Sequence, residues 1–233
     1  ARRAENNGKL IISAAGNNVG TVVWPARFDS TIAVAAVNIR CVPWRGSSRG
    51  SAVDIAAPGE SVWRAMVDTD AEVDDIGMGR GTTFATGTTA GSAALWIAYH
   101  SGEPEFEQLV NEGKVLDAFR HAVRASSWRP DVESDNTPEV THCREGTKWN
   151  DRKYGAGIVN ASALLDPPLT TSAPRAVRAA TIAELPLIDS LYPRQSNAAT
   201  VVEDYRRLFA VEDDVDLETI AYFEAEVAYH YAS

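Results

Sequence analysis

From Gly81 to Gly91 the chain reads Gly-Thr-Thr-Phe-Ala-Thr-Gly-Thr-Thr-Ala-Gly, and only Phe84 is larger than threonine. Gly81 and Thr82 end an irregular segment, and Phe84 to Tyr99 read as a helix with Leu95, Trp96 and Ile97 at its far end. Small residues on every face let neighbours approach closely all round, so this helix is expected to be buried on all sides. Its N-terminus presents unpaired backbone N–H groups and a partial positive charge. A hydroxyl placed there stands beside donors able to stabilise an oxyanion. Thr83 is so placed; capping the helix is its alternative role.

Further segments repeat one theme, a short apolar run stopped by glycine. Lys9 to Asn18 (Lys-Leu-Ile-Ile-Ser-Ala-Ala-Gly-Asn-Asn) reads as a buried strand ending at Gly16, with Gly16-Asn17 either a site element or a plain turn. Trp24-Pro25 leads into Thr31 to Val37, a second buried strand. Ser47-Ser48-Arg49-Gly50 leads to Val53-Asp54-Ile55-Ala56-Ala57-Pro58-Gly59, and Tyr154-Gly155-Ala156-Gly157-Ile158-Val159-Asn160 follows much later. Strands apolar on both faces belong to parallel sheets covered on both sides.

Taken together and in order, these segments resemble the subtilisin-like serine peptidases over roughly residues 5–165. The resemblance rests on Ala-Ala-Gly-Asn at 14–17, Trp24-Pro25, Ser47–Gly50, Asp54–Gly59, the 81–91 segment and Tyr154–Ala161. It implies an α/β fold, a three-layer architecture on a parallel sheet, with the C-terminal half of the catalytic domain at 1–168; residues 169–233 fall outside it and read as a linker with a helical extension. It also implies acyl transfer from a peptide bond to a hydroxyl, followed by hydrolysis, on a peptide or protein substrate. Thr83 stands where the family has its serine nucleophile. Asn17 matches the side-chain oxyanion donor, with the Thr83 N–H as its companion and the Thr82 hydroxyl in support. Ser13, Ala14, Ala15 and Gly16 match one wall of the primary specificity pocket. The resemblance further suggests a cis Trp24–Pro25 bond, and calcium at backbone carbonyls such as those of Ala26 and Phe28.

An internal hydroxyl nucleophile needs a general base and an acid to orient it. In the family's order both precede the oxyanion strand, so they are expected upstream of Ala1, in an N-terminal half missing from this chain and acting as its partner. The opening Ala1 to Gly8 reads as the last turns of a helix stopped by Asn-Asn-Gly. The four histidines do not replace the missing base. His100 lies at the opposite end of the helix, roughly 25 Å from Thr83 at about 1.5 Å per residue. His121 falls in an amphipathic helix over Val115–Arg124, His230 in the tail, and His142 in a long polar loop over 126–152. Of these only His142 stays open as a base. A pseudoprotease that binds peptides or a partner without cutting is the alternative function, and a non-functional fragment the third.

A net charge of −10 argues against nucleic acid, and no apolar run is long enough to cross a membrane. No cofactor is expected. Cys41 and Cys143 are expected as unpaired buried thiols, with no metal-ligand spacing around them. Asp68 to Asp75 is either a solvated hairpin tip or a calcium loop, and its charge could favour basic substrates. Beyond Pro167-Pro168, Leu169–Pro193 reads as a linker, with helices over Ala199–Leu208 and Leu217–Tyr231. The apolar stripe of the second packs on its own domain or docks a partner. The sequence leaves the compartment open.

Overall fold

The structure is a computed structural model, and it describes residues 2–68, 73–138 and 142–171. A three-stranded parallel sheet forms its centre, in the order β1 (Ile12–Ala14), β2 (Ile32–Val37), β3 (Ile55–Pro58). Every residue of β2 is buried, as its apolar run on both faces requires. The strand separates two cores by simple alternation. Ile32, Val34 and Ala36 face a cluster with Trp96, Phe106, Leu116 and Phe119. Ala33, Ala35 and Val37 face the other side, with Val22, Cys41, Trp128, Tyr154 and Ile158.

Helices α2 (Thr82–His100), α3 (Pro104–Asn111) and α4 (Val115–Ser126) supply the first cluster. The short α5 (Asp151–Tyr154) supplies Tyr154 to the second. Helix α1 (Arg2–Glu5) precedes the sheet, and a 3₁₀ turn over Ala163–Leu165 buries Leu164. Strands β4 (Val62–Asp68) and β5 (Val73–Gly79) form an antiparallel hairpin that delivers the chain to α2. The tip between them lies outside the described residues, as do the expected helices over 199–208 and 217–231 and most of the 169–193 linker. The Trp24–Pro25 bond is cis. This is the subtilisin-like α/β architecture the motifs implied.

Two expectations are corrected. Cys41 and Cys143 are joined in a disulfide, with Cα atoms 4.9 Å apart. Their spacing of 102 residues hid the pairing, because only the fold brings the 143 loop onto the end of β2. The second correction concerns α2. Its small residues do not bury it all round: Thr82, Ala85, Thr89, Ser92, Ala93, Trp96 and His100 face the interior, while Leu95 and Tyr99 are each 59% exposed. Thr83, Gly87, Ala90, Gly91, Ala94 and Ala98 share that open side.

A buried ion pair ties α4 to the sheet. Asp54, 2% exposed, accepts the Ala33 N–H at 2.9 Å, and its other oxygen lies 3.4 Å from Arg120 Nε. Arg120 also donates to the carbonyls of Asp29 and Thr31. Those bonds, made by Nη2, offset part of the cost of burying the guanidinium, whose Nε makes no hydrogen bond among the described residues.

Candidate active site

The end of β1 and the start of α2 meet through side chains. Gly16 follows β1 with φ +113, and a Cβ there would meet Ser48 Oγ at 2.8 Å and Val23 at 2.9 Å, so glycine is required. Its N–H donates to the Thr82 hydroxyl at 3.3 Å. That hydroxyl donates to Asn17 Oδ1 at 2.8 Å, and the same oxygen accepts the Thr82 N–H at 2.9 Å. A backbone N–H can only donate, so the Asn17 atom facing it is the oxygen. The amide is thereby locked with Nδ2 as its remaining donor. Gly81 supplies the helix N-cap without a side-chain bond, so Thr83 does not cap the helix. Thr83 is exposed in the first turn, where backbone N–H groups have no intrahelical acceptor.

Asn17, Thr82 and Thr83 therefore stand together at one end of the sheet. Ser13 and Ala15 are buried and Ala14 half-buried on the strand that leads to them. The Ala15 N–H donates to Val34 and its carbonyl accepts from Val23, while the Gly16 carbonyl accepts from Ser48, each at 2.9 Å. The strand is thus fixed from both the sheet and the loop that follows it.

The histidines lie elsewhere. His100 is buried at the C-terminal end of α2, bonded to Glu103 at 2.9 Å and packed against Trp96 and Phe106. His121 is half-buried on α4. His142 is exposed, next to a cysteine bonded into the cluster on the sheet face opposite α2. His230 lies outside the described residues. Among the described residues no histidine is bonded to Thr83.

The carbonyls considered for calcium are turned onto Thr31. Its hydroxyl lies 3.1, 3.2 and 2.9 Å from the carbonyl oxygens of Pro25, Ala26 and Phe28. Ala26 is fully buried. Calcium takes six to eight oxygen ligands, usually with carboxylates among them. Among the described residues no group of three or more His, Cys, Asp or Glu could hold a metal. No helix among the described residues is long and apolar enough to cross a membrane.

What sequence reasoning missed is the cavity beside this corner. It encloses about 430 Å³ and is lined by Asn18, Trp44, Arg45, Ser47, Arg49 and Arg80, among others. Arg49 lies within the Ser47–Gly50 segment, while Arg45 stands two residues before it and Arg80 one before Gly81, so most of the signal stood just outside the segments singled out.

The chain is similar to known proteins over part of its length. The chain is 37% identical over 103 residues to a subtilisin from Bacillus pumilus, covering 42% of this chain and 36% of that protein. It is 34% identical over 131 residues to halolysin from Haloferax mediterranei, covering 56% of this chain and 24% of that protein. It thus spans roughly a third or less of the relatives it matches. Among solved structures, the prenylagaramide maturation protease PagA superposes with a TM-score of 0.53 at 22% identity, covering 71% of this chain and 52% of that one. Fervidolysin from Fervidobacterium pennivorans, a keratinolytic enzyme related to subtilisin, gives 0.52 at 20%, covering 72% and 24%. These two likenesses concern the fold. The subtilase family model, Peptidase_S8, matches residues 1–157, and the chain belongs to that family.

Proposed function

We propose that this chain is the nucleophile and oxyanion side of a serine-type endopeptidase that acts on peptides or proteins, with Thr83 as the attacking residue. The observation that carries this reading is the locked Asn17 amide. Both acceptor bonds of Oδ1 go to Thr82, which leaves Nδ2–H as the donor beside the start of α2. In the reaction, Thr83 Oγ1 attacks the scissile carbonyl carbon and its proton passes to a base. Asn17 Nδ2–H and the Thr83 N–H hold the oxyanion, the amine leaves with the proton, and water then hydrolyses the ester.

The base and its acid come from an upstream segment, which we place against β1 and the open side of α2. Two features support this: among the described residues β1 pairs only with β2, and Leu95 and Tyr99 are solvent-exposed on the helix that bears Thr83. The disulfide favours an oxidising compartment.

Purified residues 1–233 are expected to leave casein and peptide esters uncut, since the oxyanion hole alone retains only a remnant of catalysis. Joined to an upstream half bearing Asp and His, the chain should label with a fluorophosphonate probe, and Thr83→Ala should not. Turnover by the chain alone that disappears on Thr83→Ala would shift the base to His142. The Thr83 methyl restricts χ1 and crowds the attacking oxygen, so Thr83→Ser should raise acylation by at least about tenfold. That same methyl favours a second reading, a pseudoprotease that binds without cutting. Failure of both the parent and the Thr83→Ser variant to label, with matched melting temperatures, would place the loss elsewhere in the site and favour that second reading.

A further inference from the structure

The cavity beside Asn17 is built as well as bounded. Asn17 bridges Ser47 in antiparallel fashion, the Asn18 N–H donates to the Gly46 carbonyl at 2.6 Å, and the Ser48 N–H to Gly16 at 2.9 Å. These bonds fix one wall to the strand that carries the oxyanion donor. Buried Trp44 lines the same space, as does Arg80, the residue before Gly81. Three arginines, all exposed, thus line one cavity of about 430 Å³, in a chain of net charge −10.

Several other arginines in this molecule have partners. Arg120 and Arg124 lie against Asp54, Arg64 lies over Phe84, and Arg129 over Trp149. Among the described residues, Arg45, Arg49 and Arg80 form no ion pair. Like charges that converge without counter-ions repel, and their field is relieved by an anion. Guanidinium groups meet a carboxylate through two parallel hydrogen bonds, which a neutral amide reproduces only in part.

We infer that the Arg45–Arg49–Arg80 cavity is a specificity pocket that takes a carboxylate of the peptide substrate next to the bond to be cut. The inference rests on the peptide-binding reading above and names the substrate class for it. It sets the near field of the site against the acidic 68–75 segment, whose charge alone would favour basic peptides. The carboxylate comes from a Glu or Asp side chain or from the peptide C-terminus.

The test is fluorescence anisotropy of dye-labelled hexapeptides on the full chain. One C-terminally amidated set carries a single Glu at each position in turn, with Gln and Lys counterparts; a poly-Ala peptide with a free C-terminus is the other arm. We expect Glu to bind about tenfold tighter than Gln at one position, with Lys weakest, and the preference to shrink as salt rises. The double substitution Arg45→Gln/Arg80→Gln should bring Glu and Gln to within about twofold at unchanged melting temperature, because both side chains are exposed. A Glu advantage assigns the pocket to a side chain; an advantage only for the free C-terminus over its amide, equally abolished by the double substitution, assigns it to a terminal carboxylate. Equal binding of Glu, Gln and Lys, or a Glu advantage spread evenly over all positions, would overturn the pocket and leave the peptide-binding reading intact. If no peptide of any charge binds, both fall together.

Discussion

The two edges of the central sheet are finished differently. At the β3 edge, Ala56 donates to Gly157 and accepts from Val159, both at 2.9 Å, and Ala156 donates to Asp54. The segment after α5 thus closes that edge with backbone bonds from within the chain. At the β1 edge, pairing among the described residues stops at β2. Helix α2 repeats the contrast, with Trp96 at 1% exposure on one side and Leu95 at 59% on the other. A closed edge is self-sufficient, while an open parallel edge is a template for another strand. The β3 edge is therefore closed from within the chain, and the candidate chemistry at Asn17 and Thr83 sits beside the open one.

The largest expected effect comes from forcing the closed edge apart. Gly155 has φ +58, and a Cβ there would collide with the Asp54 carbonyl. Gly155→Val therefore meets backbone that cannot move without parting β3 from its cover. A loss of about 4 kcal/mol or more is expected, seen as insoluble expression or loss of the cooperative melt. A variant melting within a few degrees of the parent would show that the edge is held by something else.

The disulfide reinforces the same side. A cross-link over about a hundred residues contributes up to about 4–5 kcal/mol in the chain-entropy account. Cys41→Ser/Cys143→Ser should lower unfolding free energy by that order in urea titrations, and reductant should do the same to the parent chain. An unchanged midpoint would mean the bond adds nothing to the closed side.

Tyr154 gives a smaller, pH-dependent handle. Burial first, and Asp131 second, push its phenol up to about 12. Its hydroxyl donates to the Cys41 carbonyl at 2.8 Å. The folded value lies above the unfolded one, near 10, so the stability it contributes is full below about pH 10 and is lost as pH rises through about 12. On the order of 2 kcal/mol should disappear over that window, and Tyr154→Phe should flatten that part of the profile.

What the sequence revealed follows the same division. The glycines and small residues at 14–17, 54–59, 81–91 and 155–157 occupy places where backbone must approach backbone, so their identities are visible in a single sequence. The partners of buried charges are not. Asp54 stood out within its motif, but Arg120 sits among the polar positions of an amphipathic helix, and nothing in its spacing shows that it turns inward. The disulfide was hidden for a similar reason, since loop length alone says nothing of where the two ends meet. The exposed side of α2 departs from the expectation of burial all round because small residues report what a helix can accept, and the described residues fill only one side.

The last prediction tests that final point with paired substitutions on one helix. Ala93 is 3% exposed and belongs to the core beneath α2. Leu95 lies two residues on, on the open side. Lysine in place of Ala93 must bury a charge or displace the core, so Ala93→Lys should cost several kcal/mol. Lysine in place of Leu95 stays in water, and Leu95→Lys should change the stability of the isolated chain by less than about 0.5 kcal/mol. It should also reduce any self-association, because it removes an exposed apolar side chain. The informative measurement is binding of an upstream half, followed by sedimentation or co-purification. If that segment packs on the open side of α2, Leu95→Lys abolishes assembly while leaving the melt untouched. A Leu95→Lys chain that assembles as well as the parent would place the upstream segment elsewhere, and the open side of α2 would no longer mark where the base and its acid dock.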